Sequence, residues 1–150
     1  MKKVFISGIA GFIGSNLAKA MLEEGWAVSG IDNFDDFYDP QIKRTAIRRI
    51  EQSGSITLVE GDIRDAALLN SVFSSNRPDL VIHLAARAGV RPSIEQPALY
   101  YDVNVTGTLT LLEAMRLNGM KDLLFASSSS VYGNNKKVPF SENDPVDNPI

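Results

Sequence analysis

Three glycines near the amino terminus have the spacing of a phosphate-binding turn. Gly8, Gly11 and Gly14 follow a short apolar run and open an amphipathic segment, as a strand–turn–helix fingerprint for dinucleotides requires. The first glycine permits a tight turn, the second lets the backbone approach a pyrophosphate, and the third allows the helix to pack on the strand. Glycines at this spacing also occur in ordinary turns, so the flanking strand and helix carry the inference. We expect Phe12 and Ile13, inside the turn, to contact the same ligand.

An acidic residue follows the second apolar run at the position where a ribose would lie. Asp32 stands eighteen residues after Gly14, at the end of a predicted strand. A carboxylate there accepts hydrogen bonds from the adenosine ribose hydroxyls and repels a 2′-phosphate. The next four residues, 33–36, contain no arginine that would neutralise such a phosphate. The sequence therefore favours NAD over NADP, with Asn33 beside Asp32 among the expected contacts.

The ends of the third and fourth predicted strands offer further contacts to a dinucleotide. Asp62 can meet the adenine amino group and Ile63 can pack on the ring. The alternative is that this acidic segment caps the helix predicted to follow it. After the fourth strand, Leu84, Ala85 and Ala86 are apolar and mostly small, which leaves room for a cofactor at the carboxyl edge of the sheet.

Short apolar runs alternate with longer amphipathic ones along the chain, which is typical of βαβ units and a parallel sheet. Strands are predicted over residues 2–7, 27–31, 56–59, 80–84 and 123–126. Helices are predicted over residues 11–24, 41–52, 66–73 and 97–117, with an acidic, aromatic loop at 33–40 and an unusual connector at 85–96. The sequence thus predicts an α/β protein with a Rossmann-type, doubly wound parallel sheet of five strands in the order 3-2-1-4-5. Residues 1–150 are expected to form one dinucleotide-binding domain.

The composition argues against several other classes of protein. The 150 residues include no cysteine and one histidine, which excludes a disulfide scaffold, thiolate chemistry and a multi-histidine metal site. A net charge of −3 argues against a nucleic-acid surface. No apolar run approaches the length of a membrane span or a signal-peptide core. We therefore expect no metal, nucleic acid or membrane partner, and a cytoplasmic location.

Two further features of the sequence have both a structural and a functional interpretation. Lys43, Arg44, Arg48 and Arg49 lie at helical spacing, which we interpret as a solvated helix face, with contact to a phosphate as the alternative. His83, at the end of the fourth strand, is interpreted as a structural residue rather than a chemical group.

The ordered motifs resemble those of the extended short-chain dehydrogenase/reductase family, which contains the NAD-dependent sugar-nucleotide epimerases and dehydratases. The matching segments cover essentially the whole chain: 8–14, 32–33, 61–64, 83–86, 104–105 with 107–108, and 127–133. Within that family, segments 31–34, 37–40, 43–44, 85–91, 139–142 and 144–147 look like the UDP-glucuronate 4-epimerases. The resemblance implies NAD as cofactor, Asn104 as a further cofactor contact and a UDP-sugar as substrate. It also implies a homodimer of the full-length protein, formed through two helices that include 97–117.

The resemblance also assigns roles to residues near the sugar. In such enzymes NAD⁺ takes a hydride from C4 of the sugar and returns it to the other face of a 4-keto intermediate. Ser128 falls at the position of the catalytic Ser or Thr, whose hydroxyl hydrogen-bonds the sugar oxygen, and Ser129 and Ser130 would make secondary contacts. Dehydratases of the family carry an Asp-Glu pair at these last two positions, so the resemblance favours an epimerase. Arg87 and Arg91 would hold an anionic substrate, or alternatively form ion pairs that fix their loop.

The chain departs from the family pattern at one specific motif. The family uses a helical Tyr-x-x-x-Lys pair, and here only Tyr132 with Lys136 has that spacing, in a segment rich in glycine and asparagine. We interpret this match as a coincidence and expect the true pair, with the substrate-binding region, to follow in a longer protein. The fragment alone is then expected to be inactive. A non-catalytic NAD-binding module, a truncated gene product and another nucleotide-sugar enzyme of the family remain as alternatives.

Overall fold

Five parallel strands form the central sheet of the computed structural model, which describes residues 1–147. The strands lie in the order β3-β2-β1-β4-β5, and every neighbouring pair is parallel. Their bounds are β1 Lys3–Ser7, β2 Ala27–Asp32, β3 Ile56–Glu60, β4 Leu80–His83 and β5 Leu123–Phe125. The predicted fold class and strand order are confirmed. The proline-rich sequence at the chain end predicts no helix or strand for residues 148–150, and these residues lie outside the described part of the chain.

Helices connect the strands and cover both faces of the sheet. Their bounds are α1 Phe12–Glu23, α2 Pro40–Glu51, α3 Ala66–Asn76, α4 Val90–Glu95, α5 Pro97–Tyr101 and α6 Gly107–Leu117. Asp39 caps α2 by accepting a hydrogen bond from the Gln41 amide, and Pro40 occupies the first helical position. Gly119, at a φ of 72°, follows the carboxyl end of α6, where a left-handed glycine commonly ends a helix.

The helical region before β5 differs from the single helix predicted over residues 97–117. A π-helical turn, Asp102–Thr106, separates α5 from α6 within the predicted helix. The short helix α4 lies inside the connector 85–96, for which the sequence predicted no element. One π turn is slightly wider than an α turn and leaves the spacing of apolar residues in the sequence close to that of a regular helix. Helix α4 has only six residues, and Gly89 and Pro92 are residues that usually indicate a turn or loop.

The core consists of two apolar clusters, one on each face of the sheet. Alternate residues of β1 point to opposite faces, so Val4 and Ile6 enter one cluster and Phe5 enters the other. In the second cluster the ring of Phe5 packs edge-to-face on Phe73 of α3, with ring centroids 4.9 Å apart. Burial on both faces explains why the sequence of β1 is a continuous apolar run. The same packing holds the ends of the strands, which form the site, in a fixed register.

Candidate functional site

A cavity of about 420 Å³ lies at the carboxyl edge of the sheet. It lies around the ends of β1 and β4, where the strand order reverses, which is the usual ligand position in open α/β sheets. Twelve of the thirteen residues expected to contact the cofactor line it; Asn104 is the exception. The twelve are Gly8, Gly11, Phe12, Ile13, Gly14, Asp32, Asn33, Asp62, Ile63, Leu84, Ala85 and Ala86.

The glycine turn brings backbone atoms so close together that Gly8 and Gly14 have no room for a side chain. Gly8 has a φ of 73°, and a Cβ there would lie 3.0 Å from the backbone nitrogen of Ala85. A Cβ at Gly14 would collide with the carbonyl oxygen of Gly8. Helix α1 begins at Phe12 without a side-chain cap. Its amino-terminal N–H groups therefore remain suited to an anion in the cavity.

Asp32 joins the glycine turn to the loop after β2. Its side chain is only 6% exposed, yet it receives three donors. Oδ2 accepts from the Ala10 amide at 3.1 Å, while Oδ1 accepts from the Phe34 amide at 2.9 Å and from Lys43 Nζ at 3.4 Å. A buried carboxylate with these partners is held as a fixed acceptor at the edge of the cavity.

Lys43 contradicts the interpretation of its helix face as solvated. Its side chain is only 9% exposed, its ammonium lies 5.2 Å from the centroid of the Tyr38 ring, and it lines the cavity. The helix phase explains this, because Lys43, Ile47 and Ile50 all fall on the buried face of α2. A lysine one turn before two buried isoleucines is the sequence signal that would have identified it, since its stem packs while its ammonium reaches the site.

The other basic residues of α2 divide into two groups. Arg44 donates two hydrogen bonds to Glu60, at 2.8 and 2.6 Å, and its guanidinium carbon lies 3.6 Å from the centroid of the Phe34 ring. Arg48 and Arg49 are exposed, as the solvated-face interpretation expects. Arg44 thus fixes the loop that follows Asp32 rather than facing solvent alone.

Asp62 is an ionised acceptor rather than a helix cap. It receives hydrogen bonds from the Arg64 side chain at 2.7 and 2.8 Å, from the Arg64 amide at 2.9 Å and from Asn33 Nδ2 at 3.0 Å. The Arg64 side chain, above all, lowers the pKa of Asp62 to about 2. The cap of α3 is Asp65, which accepts from the Leu68 amide. The alternative that Asp62 serves as that cap is therefore excluded.

Asn104 and Arg87 hold the loop that follows β4. Asn104 Oδ1 accepts from the Arg87 amide at 2.8 Å and its Nδ2 donates to the Arg87 carbonyl at 3.0 Å, so this side chain faces backbone rather than the cavity. Arg87 Nη1 donates to Asp35 Oδ2 at 2.7 Å, and its buried Nε has no partner. The loop-fixing ion pair foreseen as an alternative for Arg87 is present, and Arg87 is also one of the residues that line the cavity.

Of the residues expected to meet the substrate, Arg87 lines the cavity, whereas the three serines and Arg91 lie outside its wall. Ala126 lines the cavity, but Ser128, Ser129 and Ser130 beyond it do not. Ser128 Oγ accepts from the Ser130 amide at 3.1 Å and caps a 3₁₀ helix, Ser129–Tyr132. Arg91 is exposed on α4.

The Tyr132 and Lys136 pair does not form a helical site. Tyr132 is the last residue of the 3₁₀ helix and stacks on Phe140, with ring centroids 4.5 Å apart, while Lys136 lies in irregular chain. Neither residue lines the cavity. The spacing alone therefore does not place the two side chains one helical turn apart.

Within residues 1–147 no group of three or more His, Cys, Asp or Glu side chains is arranged to hold a metal ion. In the same part of the chain no helix is long and apolar enough to cross a membrane.

Sequence relatives of this chain carry one recurring description. UDP-glucuronate 4-epimerase 3 of Arabidopsis thaliana is 47% identical over 147 residues, which are 97% of this chain and 34% of that protein. UDP-glucuronate 4-epimerase of Thermodesulfobacterium geofontis (strain OPF15) is 43% identical over 145 residues, which are 97% of this chain and 45% of that protein. The chain thus spans between a third and a half of the length of these relatives.

Solved structures and a family model agree with these relatives. UDP-glucose 4-epimerase from Bifidobacterium longum, in complex with NAD⁺ and UDP, has a TM-score of 0.87 and 36% identity over 96% of this chain and 42% of that one. UDP-glucose 4-epimerase from Brucella ovis, in complex with NAD, has a TM-score of 0.84 and 39% identity over 100% of this chain and 42% of that one. A family model described as GDP-mannose 4,6 dehydratase matches residues 5–149. This chain therefore belongs to that family, a group of NAD-dependent epimerases and dehydratases.

Proposed function

We propose that this chain is the NAD-binding domain of a UDP-sugar 4-epimerase that converts UDP-glucuronate to UDP-galacturonate. The observation that carries the proposal is the cavity at the switch point of the sheet, bounded by the glycine turn and by the buried carboxylate of Asp32. The relatives named UDP-glucuronate 4-epimerase support the choice of sugar.

The side chains around the cavity fit the parts of NAD. The amino terminus of α1 would hold the pyrophosphate, Asp32, Asn33 and Lys43 the adenosine ribose, and Asp62 with Ile63 the adenine. The apolar stretch 84–86 leaves room for the remainder, and Asn104 acts by fixing the loop of Arg87. When bound, NAD supplies a reversible hydride acceptor for C4 of the sugar.

The serine segment after β5 supports epimerisation over dehydration. Ser128 would hydrogen-bond the sugar hydroxyl at which charge develops, with Ser129 and Ser130 as secondary contacts. Neither of these two neighbours is an acid, and elimination of water calls for an acid and a base at that place. Arg87 and Arg91 are the cations we assign to the anionic substrate, Arg87 after exchange of its partner Asp35.

The experiment that tests this function uses the protein encoded by the complete gene. Incubation with NAD⁺ and UDP-glucuronate should yield UDP-galacturonate. Chromatography that separates the two nucleotide sugars measures the conversion. If the protein binds NAD but converts neither UDP-glucuronate nor UDP-glucose, nor their 4-epimers, the proposed epimerase activity is contradicted. That result would favour instead a non-catalytic NAD-binding module, because Tyr132 and Lys136 do not share an α-helix and neither residue lines the cavity.

We also propose that the full-length protein is a cytoplasmic homodimer. Apolar side chains at helical spacing form an exposed stripe along α5, the π turn and α6: Tyr101, Val105, Leu109 and Leu112. A matching stripe on a second copy would bury them. Sedimentation equilibrium should show a dimer for the full-length protein and a monomer for its Leu109→Glu variant. A monomeric full-length protein without the substitution would contradict the proposal.

A further inference from the structure

A chain of hydrogen bonds centred on His83 crosses the carboxyl edge of the sheet beside the cavity. His83 Nδ1 lies 2.6 Å from Ser7 Oγ at the end of β1, and its Nε2 lies 2.9 Å from Thr108 Oγ1 on α6. Ser7 Oγ also accepts from the amides of Leu84 and Ala85, at 3.1 and 3.2 Å. One imidazole thus connects two strands with the helix behind them.

The direction of every bond in this chain is fixed by one carbonyl. Thr108 Oγ1 donates its only proton to the Asn104 carbonyl at 2.6 Å, so it accepts from His83 Nε2–H. The neutral ring then carries no proton on Nδ1, which accepts from the Ser7 hydroxyl. The network therefore assigns one tautomer to His83.

The surroundings of His83 keep the ring neutral. The residue is only 2% exposed, and burial lowers its pKa to about 4. Its contacts are the hydroxyls of Ser7 and Thr108 and the ring of Phe125, none of which is charged. A second proton on the ring would face Ser7 Oγ, whose two lone pairs already accept the two amides.

Both ends of this hydrogen-bond chain hold the same cavity wall. At one end, Ser7 holds the amides of Leu84 and Ala85, and the backbone nitrogen of Ala85 is the atom closest to a Cβ placed on Gly8. At the other end, the π turn that carries Asn104 holds Arg87 by both its amide and its carbonyl. Segment 84–87 is therefore fixed against the glycine turn from two sides.

We propose that His83 is a positioning residue of the dinucleotide site, whose neutral imidazole holds segment 84–87 at the distance from the glycine turn that the cofactor requires. The inference rests on the proposed binding of NAD in the cavity. It assigns a function to a histidine that touches neither the cavity nor the reacting atoms.

Calorimetric titration with NAD⁺ of three threonine variants tests this role. Thr108→Val removes the acceptor for His83 Nε2–H and should weaken NAD binding by roughly tenfold, as the loss of one buried hydrogen bond predicts. Thr108→Ser keeps the hydroxyl and should restore the wild-type Kd. Thr110→Val is the matched control, because Thr110 makes the same bond to the carbonyl four residues back, at 2.9 Å, without reaching His83.

The outcomes separate positioning from mere stability. Titrations are made well below the melting temperature of each variant, so a variant that melts earlier but keeps the wild-type Kd overturns the proposal. A wild-type protein that does not bind NAD⁺ contradicts the proposed function instead. Should Thr108→Val not fold, ¹⁵N spectra of labelled histidine decide, because the sequence has a single histidine. A protonated Nε2 with a bare Nδ1 at neutral pH is expected; the reverse tautomer or an imidazolium overturns the proposal.

Discussion

The two sides of the cavity edge are organised to different degrees. On the side formed by β1, β2 and β3, Asp32 accepts from the Ala10 amide and from buried Lys43, and Asp62 accepts from the amide and side chain of Arg64. Beyond β5, exposed Ser128 accepts from the amides of its near neighbours Ser130 and Val131. The side proposed to bind the dinucleotide is therefore preorganised by the sheet, whereas Ser128 is held by local hydrogen bonds. In such a domain, cofactor binding and sugar chemistry should respond to different substitutions.

The largest effect should follow from filling the glycine turn. Gly14→Val places a side chain against the Gly8 carbonyl, which the backbone cannot avoid, so NAD binding should be lost and the free energy of unfolding should fall by about 3 kcal/mol. Gly54→Ala is the control, because its Cβ meets only the flexible Leu22 side chain. Denaturant unfolding and NAD titration measure both; wild-type affinity in Gly14→Val would show that the turn is not the pyrophosphate site.

The pH dependence of stability should distinguish the core of the site from its surface. The pKa of His83 falls from 6.5 to about 4 on folding, so its stabilising contribution is complete above pH 6.5 and is lost as the pH falls towards 4. The loss should be about 3 kcal/mol at most. Asp62 and Asp144, whose pKa values are lowered by cationic partners, stabilise the fold above about pH 3.8, and their contribution is lost only as the pH falls below that value.

Urea unfolding between pH 7 and 3 measures these contributions. Because the sequence has one histidine, the change above pH 4.5 belongs to His83. A His83→Asn variant should show a flatter profile in that range, and an equally steep one would contradict the assignment.

Replacing the buried carboxylate should change affinity and cofactor preference together. Asp32→Asn keeps the shape but removes the charge, so NAD affinity should fall about ten- to a hundredfold. NADP should gain relative to NAD, because Lys43 would then meet a 2′-phosphate without an opposing charge. Asp36→Asn, on the exposed part of the same loop, is the control. Paired titrations with NAD and NADP measure the ratio of the two dissociation constants. An unchanged ratio in Asp32→Asn would contradict a selectivity role for Asp32.

The smallest effect on binding should come from the serine segment. Ser128→Ala should leave NAD affinity and the free energy of unfolding within about 0.5 kcal/mol of the wild type, because the side chain is exposed and lies outside the cavity. The same change in the full-length protein should lower kcat for UDP-glucuronate. A large loss of NAD affinity would show that the two sides are coupled after all.

Sequence patterns identified residues that the structure brings together, because local periodicity determines where the turns and strand ends fall. Glycine spacing, strand ends and Asp32 follow from local periodicity, and twelve of the thirteen expected contacts line one cavity. Lys43 was missed because its exposure depends on the phase of α2 against the sheet. The π turn was missed because one wider turn leaves the spacing of apolar residues in the sequence close to that of an uninterrupted α-helix.

The sequence by itself determined the order of strands and helices, the tight glycine turn and the acidic residue at the end of β2, since these depend on residues close together in the chain. Only the tertiary structure decided which distant side chains meet, such as Arg87 with Asp35, which are 52 residues apart. It also decided the tautomer of His83, which depends on Ser7 and Thr108 from two other elements. The physical reason is that parallel register brings strand ends to one edge, and no local pattern encodes which donor then faces which acceptor.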